Sequence, residues 1–296
     1  MSFLVDNAGV LLNGVAIGLL LFMMAVGLSI VFGLLDVLNL SHGAFFLTGS
    51  YIGYRIAGQA TASWRSFLLA ILVAVIVGAL MGVGLMLLTR PLVARGHIDQ
   101  ALLTLGLALV ISELLLLIFG NDDHSVAAPS DLARSTDVFG AQYPVYRLAV
   151  IVVGALVAAA VWFLLERTPL GAVVRATVAD REMVQAVGID VRLVVLLTFA
   201  CASALAVVAG VLAGPIKGAA SGLGDEILLL ALVVIVIGGL GSVVGTLVGS
   251  LVIGLVQNVG AVLAPEYASF LLFGAMVLVI TFRPQGLFPT VAAVSR

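Results

Sequence analysis

Long stretches of this chain carry no charged residue at all, and that absence decides its fold class before any motif is read. Apolar runs long enough, or nearly so, to cross a bilayer as helix fall at residues 9–32, 42–57, 67–88, 101–119, 147–165, 194–214, 226–240, 243–263 and 267–282. A span needs ~20 such residues. Only 9% of residues are charged, whereas a soluble domain devotes roughly 25% to charge. Mean hydropathy is +1.30. Lipid is therefore the solvent for most of the length, and backbone groups facing lipid must be satisfied within their own segment. The expectation is an all-α polytopic membrane protein, one transmembrane domain over 1–296, with about eight or nine helices, some short or broken. The N-terminus lacks a basic region before its first apolar run and reads as a retained span.

Several runs are short, and two of them meet at Gly238-Gly239-Leu240-Gly241-Ser242. Such breaks are tolerated in lipid only where protein or a water-filled cavity satisfies the backbone. Glycine pairs four apart, among them Gly14/Gly18, Gly49/Gly53, Gly78/Gly82 and Gly245/Gly249, point to close helix contacts in a bundle. A short echo, Leu47-Thr48-Gly49-Ser50 against Leu247-Val248-Gly249-Ser250, hints at corresponding interruptions in two halves.

Basic residues orient the chain. Placing 89–99, 166–193 and the C-terminal tail inside collects Arg90, Arg95, Arg167, Arg175, Arg181, Arg192, Arg283 and Arg296 there. Arg55, Arg65, Arg134, Arg147 and Lys217 are then left outside. The acidic segment 120–146, with Asp122, Asp123, Asp131, Asp137 and an exposed-looking His124, then lies outside. With nine spans the N-terminus lies outside and the C-terminus inside.

The chemistry is sparse. No nucleophile–base or metal-ligand spacing is present, so no catalytic or metal residue is assigned and an enzyme is disfavoured. The lone lysine, Lys217, follows Ile216, so a G-x-x-x-x-G-K-[ST] phosphate loop is impossible. Energy for pumping has to come from a partner or an ion gradient. No series of intramembrane carboxylates supports ion coupling; Glu113 sits near the end of its run, where it can snorkel. No basic tract suggests nucleic acid. The one cysteine, Cys201, excludes a disulfide framework.

Two segments stand out. Near Asp36, the residues Asn39, His42, Gly43, Phe46 and Ser50 share one face if helical, with Ser41 beside them. This polar stripe faces a water-filled path or a neighbouring helix, or else Asn39 or Ser41 caps the next helix. The candidate pathway set is Asn39, Ser41, His42, Gly43 and Ser50. In 166–193, Val173, Ala176, Thr177, Val184 and Val187 alternate with charges as in a short amphipathic helix. It either lies on the membrane surface or docks into a partner's groove, and its length favours docking.

These residues resemble a known family. Leu38-Asn39-Leu40-Ser41-His42-Gly43, followed by Gly49-Ser50-Tyr51, is similar to the N-F-A-H-G…G-[AS]-Y signature of branched-chain amino acid ABC importer permeases, H-type subunit. Ser41 stands where the pattern has alanine. Arg167-Thr168-Pro169-Leu170-Gly171, Arg175-Ala176, Asp180-Arg181-Glu182 and Gly188-Ile189 resemble the family's cytoplasmic loop. Gly238 to Ser242, Gly249 and Arg283-Pro284-Gln285-Gly286-Leu287-Phe288 match its C-terminal pattern. The likeness covers residues 10 to 288. The coupling pattern of ABC importers generally, E-A-A-x-x-x-G, keeps its spacing in Glu182 and Gly188, with Met183 and Val184 in place of the alanines.

The resemblance implies a multi-pass subunit of the bacterial inner membrane that moves amino acids inward, branched-chain ones above all. It implies a second homologous permease, a periplasmic solute-binding protein and two ATPase subunits, which bind the ATP; the chain itself needs no cofactor. Gly171, Arg175, Asp180, Arg181, Glu182 and Gly188 become the candidate ATPase coupling residues. Relatives for urea, amides or aromatic acids remain an alternative reading, and an ion-coupled secondary transporter a lesser one.

Overall fold

The computed structural model describes residues 8–35, 39–59, 62–92, 96–138 and 141–288. Asp36, Leu38, Arg95 and Arg296, used in the sequence argument, lie outside them. The helices are α1 (Ala8–Leu35), α2 (His42–Ala57), α3 (Trp64–Thr89), α4 (His97–Phe119), α5 (Val145–Arg167), α6 (Pro169–Ala179), α7 (Arg181–Ala186), α8 (Val191–Lys217), α9 (Leu223–Gly238), α10 (Val243–Leu263) and α11 (Ala268–Phe282). A hairpin of β1 (Ser135–Val138) and β2 (Ala141–Pro144) precedes α5.

Every apolar run of the sequence is a helix among the described residues, and seven helices are long and apolar enough to cross a membrane. α11 reaches span length only with the turn Pro265–Tyr267 that precedes it, whereas α2 and α9, of 16 residues each, fall short. At 1.5 Å per residue they rise ~24 Å, against a hydrocarbon thickness of ~30 Å. Their shortness is possible because protein surrounds them: most of α2, and one face of α9, is buried.

The bundle is organised around α1, whose residues from Phe22 to Val26 have no solvent contact. Its neighbours reveal an internal repeat. α1 packs along α10 as α8 packs along α3; α2 lies against α8, α3 and α4 as α9 lies against α1, α10 and α11. Two four-helix units, α1–α4 and α8–α11, are thus joined by α5–α7. They are inverted with respect to each other. Gly27 of α1 sits by Ala202 of α8, while Ile17 and Ala213 line one void, so the equivalent helices α1 and α8 run antiparallel. The sequence echo is corrected by this repeat: Leu47–Ser50 lies on α2, whose counterpart is α9, whereas Leu247–Ser250 lies on α10. Outward faces of α3, α4, α5 and α11 expose large apolar residues such as Leu72, Leu109, Leu156 and Phe270, as a lipid-facing perimeter should.

The glycine-rich break after α9 is closed by the chain's far end. Gly239 (φ 101°) turns the backbone, and Gly286 lies against it. The Leu287 and Phe288 N–H groups then donate to the carbonyls of Ile237 and Gly238 (2.9 and 3.0 Å), satisfying the end of α9. The Gly241 N–H donates to Ser29 Oγ of α1 at 2.9 Å. At the opposite end, His124 is half-buried, not exposed as its sequence context suggests. Its ring stacks on Tyr54 at 4.2 Å between centroids, and its backbone exchanges two hydrogen bonds with Ala219. That pairing ties segment 120–146 to the loop after α8.

Candidate translocation site

The two short helices meet at their first turns near the middle of the bundle. A Cβ on Gly43 would lie 2.9 Å from Leu228 Cβ, and one on Gly224 would lie 2.8 Å from the Gly43 carbonyl and 3.2 Å from Leu47 Cβ. Gly43/Leu47 of α2 and Gly224/Leu228 of α9 therefore interlock as antiparallel equivalents. Only glycine at both positions lets the backbones touch. Helix starts placed side by side within a bundle present positive dipole ends, the arrangement from which transporters build substrate paths.

The polar set at the start of α2 is fully enclosed in the protomer. Asn39, Ser41, His42 and Ser50 are all at most 2% exposed. Asn39 precedes the helix, so it does not continue the helical face that its spacing suggests. Its Oδ1 accepts the Ser41 N–H (3.1 Å) and the Ser41 hydroxyl. Because a backbone N–H can only donate, this fixes the amide orientation and turns Nδ2 toward His42. The Asn39 amide donates to His42 Nδ1 at 2.9 Å, which places the ring proton on Nε2. Nε2 itself is buried beside Gly27, with the Ala202 carbonyl of α8 as its neighbouring acceptor. Ser50 donates to the Gly210 carbonyl of α8 at 3.2 Å, where Gly49 and Gly210 touch. The structure thus brings Asn39, Ser41, His42 and Gly43 together at the α2–α9 crossing and puts Ser50 two turns further on, against α8.

Sequence reasoning missed the charged side of this crossing. Asp225 and Glu226 occupy the first turn of α9, and Glu226 pairs with Lys217 at 3.0 Å. A void lined by Leu20, Phe46, Ala213, Lys217 and Ile227 lies beside them. Leu20 is ~18 Å of helix rise from the start of α1 and ~22 Å from its end, whereas Lys217 is the last residue of α8, at the end opposite Arg192. The side chains of Lys217 and Glu226 are 28% and 49% exposed, on the outside of the protomer. A charge facing lipid at the centre of a span costs roughly 2.5–3.5 kcal/mol. The signal was present in sequence as carboxylates at the start of an apolar run, but only the packing of α9 shows that this run starts inside the bundle.

The loop 166–193 folds as two helices, α6 and α7, not the single amphipathic helix expected. Asp180 is the reason: its Oδ1 accepts the Met183 N–H at 2.9 Å, capping a new helix at Arg181. Thr168 caps α6, with Pro169 at its first position. Gly171 lets α6 fold back tightly on Leu165, and Arg175 pairs with Glu166 at 3.7 Å. Gly188 (φ 89°) closes α7: its N–H meets the Gln185 carbonyl while the Ile189 N–H meets that of Val184, a Schellman ending. Thr177 and Val184 are buried, but Leu170, Met183 and Val187 stand exposed beside Arg175 and Glu182.

An inverted pair of helical units, short helices meeting at their starts, and a structured polar loop define a membrane permease of the multi-pass, helical class. The chain belongs to the branched-chain amino acid transport system / permease component family, whose pattern matches residues 10–280. It is 28% identical to the high-affinity branched-chain amino acid transport system permease protein BraD of Pseudomonas aeruginosa, covering 94% of both chains. It is 26% identical to the probable branched-chain amino acid transport permease protein LivH of Methanocaldococcus jannaschii, over 88% of this chain and 84% of the other. The ribose import permease protein RbsC of Escherichia coli is 25% identical over 79% and 72% respectively. No solved structure matches the chain.

Proposed function

We propose that this chain is a translocation subunit of an ABC importer in the bacterial inner membrane, carrying branched-chain amino acids into the cytoplasm. The observation that carries the reading is the Lys217–Glu226 pair with Asp225, exposed on the protomer at the start of α9, where that helix crosses α2. Such a face is stable against a second permease or a water-filled path, and not against acyl chains. An amino acid is zwitterionic. A wall offering balanced, already paired charges lets it pass without trapping either end. The names of the relatives BraD and LivH support branched-chain amino acids as cargo. Similarity to RbsC means that the scaffold also serves another solute, so cargo has to be tested directly.

In this reading the enclosed group at Asn39, Ser41, His42 and Gly43 fixes how the two short helices cross, and Ser50 ties α2 to α8. Selectivity falls to a periplasmic solute-binding protein, and work to two ATPase subunits docked on α6–α7 through Leu170, Arg175, Arg181, Glu182 and Met183. The test is reconstitution of the chain, with the proteins that co-purify with it, into proteoliposomes. Leucine uptake should require ATP on the cytoplasmic side and be unaffected by ribose. Uptake by the purified chain alone, driven by a proton or sodium gradient, would replace the proposal with a secondary transporter.

A further inference from the structure

At the end of the bundle that the arginine bias assigns to the cytoplasm, a cavity of about 230 Å³ opens between α3, α7 and α8. Arg90, Arg181 and Arg192 line it together with Gln185, and Met86 and Val195 form part of its apolar wall. No carboxylate lines it among the described residues. Of the acids next to these arginines in sequence, Asp180 caps α7 and Asp190 accepts the Arg192 and Leu193 N–H groups at 2.9 and 3.4 Å, while Glu182, beside Arg181, is exposed and is not part of the lining. Three guanidinium groups around one cavity repel one another unless an anion sits among them.

We infer that this cavity binds the phosphate of an anionic phospholipid headgroup. Guanidinium forks match phosphate oxygens in pairs, and the Gln185 amide adds a neutral donor or acceptor for a headgroup hydroxyl. The location selects lipid over a soluble anion. Arg90 directly follows the α3 span and Arg192 is the second residue of the α8 span, so the cavity lies at the membrane–water boundary. Leu87 and Leu88 on α3 and Leu193 and Leu197 on α8 are each at least half exposed, giving acyl chains an apolar surface below the arginines. Basic pockets between spans on the cytoplasmic side are favourable sites for anionic headgroups. A lipid bound here would brace α7 against α3 and α8, so membrane composition would govern how firmly the α6–α7 loop is held.

The test uses the full chain in mild detergent, examined by native mass spectrometry with equimolar phosphatidylglycerol and phosphatidylcholine. The wild-type chain should retain phosphatidylglycerol preferentially. Arg192→Gln should weaken that binding about fivefold and Arg90→Gln with Arg192→Gln about thirtyfold, while Arg192→Lys keeps most of it. Equal retention of the two lipids by the wild-type chain would overturn the inference without any variant having to fold. So would displacement of phosphatidylglycerol by millimolar inorganic phosphate, which would make the ligand a soluble anion. Unchanged lipid binding in the double variant, accompanied by loss of a co-purifying ATPase, would assign the arginines to protein docking instead.

Discussion

Replacing Gly224 by alanine should damage this protein more than its single methyl group suggests. The added Cβ would sit 2.8 Å from the Gly43 carbonyl oxygen and 3.2 Å from Leu47 Cβ. The first obstacle is backbone, held by α2 and by the Asn39 network, and cannot rotate away. Overpacking of this kind costs ~1–3 kcal/mol, and the upper part of that range applies where the neighbour is main chain. Alanine's better helix propensity returns up to ~1 kcal/mol. Gly106 in the middle of α4 provides the opposite case, since nothing lies within 4 Å of a Cβ there. Gly106→Ala should gain stability by ~0.5–1 kcal/mol. Thermal unfolding of both variants in the same detergent, followed by size-exclusion of the soluble fraction, compares them directly. If Gly224→Ala melts at or above the wild-type temperature, the two short helices do not meet as described and the central crossing is wrong.

Four further perturbations probe the same geometry. Asn39→Ala removes the acceptor for Ser41 and the donor to His42, both buried, and should cost ~1–3 kcal/mol of stability, read as loss of assembled complex; His42→Phe should abolish transport while the solute affinity of the separate binding protein stays unchanged. Reversing charge at Arg181 and Glu182 together should weaken retention of ATPase subunits in a pull-down while leaving membrane insertion intact; unchanged retention would remove α7 from the coupling surface. A cysteine at exposed Ser130, with Cys201 replaced by serine, should react with an impermeant thiol reagent added to the periplasmic side; reaction only after the inner membrane is broken would invert the topology.

The apolar runs made the helices legible, because in lipid the composition of a segment nearly dictates its structure. The breaks were legible too: Gly238 to Ser242 and the segment before His42 both end or begin a short helix. What the runs could not convey is depth. Residues 218–222 form a compact turn, so α9 starts beside the first turn of α2 instead of at the membrane surface. In sequence, Lys217 consequently reads as a residue outside the membrane and Glu226 only as the start of an apolar run. The loop 166–193 was misread because one residue, Asp180, acts as a cap, and a cap looks like any other polar residue in an amphipathic pattern. The Asn39, Ser41, His42 and Gly43 cluster was visible as polar residues in an apolar setting, but its closed hydrogen bonding depends on Asn39 leaving the helix.

The central claim is that the first turn of α9, beside its crossing with α2, faces water or another subunit and not lipid, and one measurement addresses it directly. Single cysteines at Asp225, Glu226 and the perimeter residue Leu109, each in a background with Cys201 replaced, are treated with a small charged thiol reagent in the assembled transporter. The account predicts that the Asp225 and Glu226 positions react, that leucine delivered by the binding protein slows them, and that the Leu109 position stays unmodified. Equal, lipid-like protection of all three positions would contradict it.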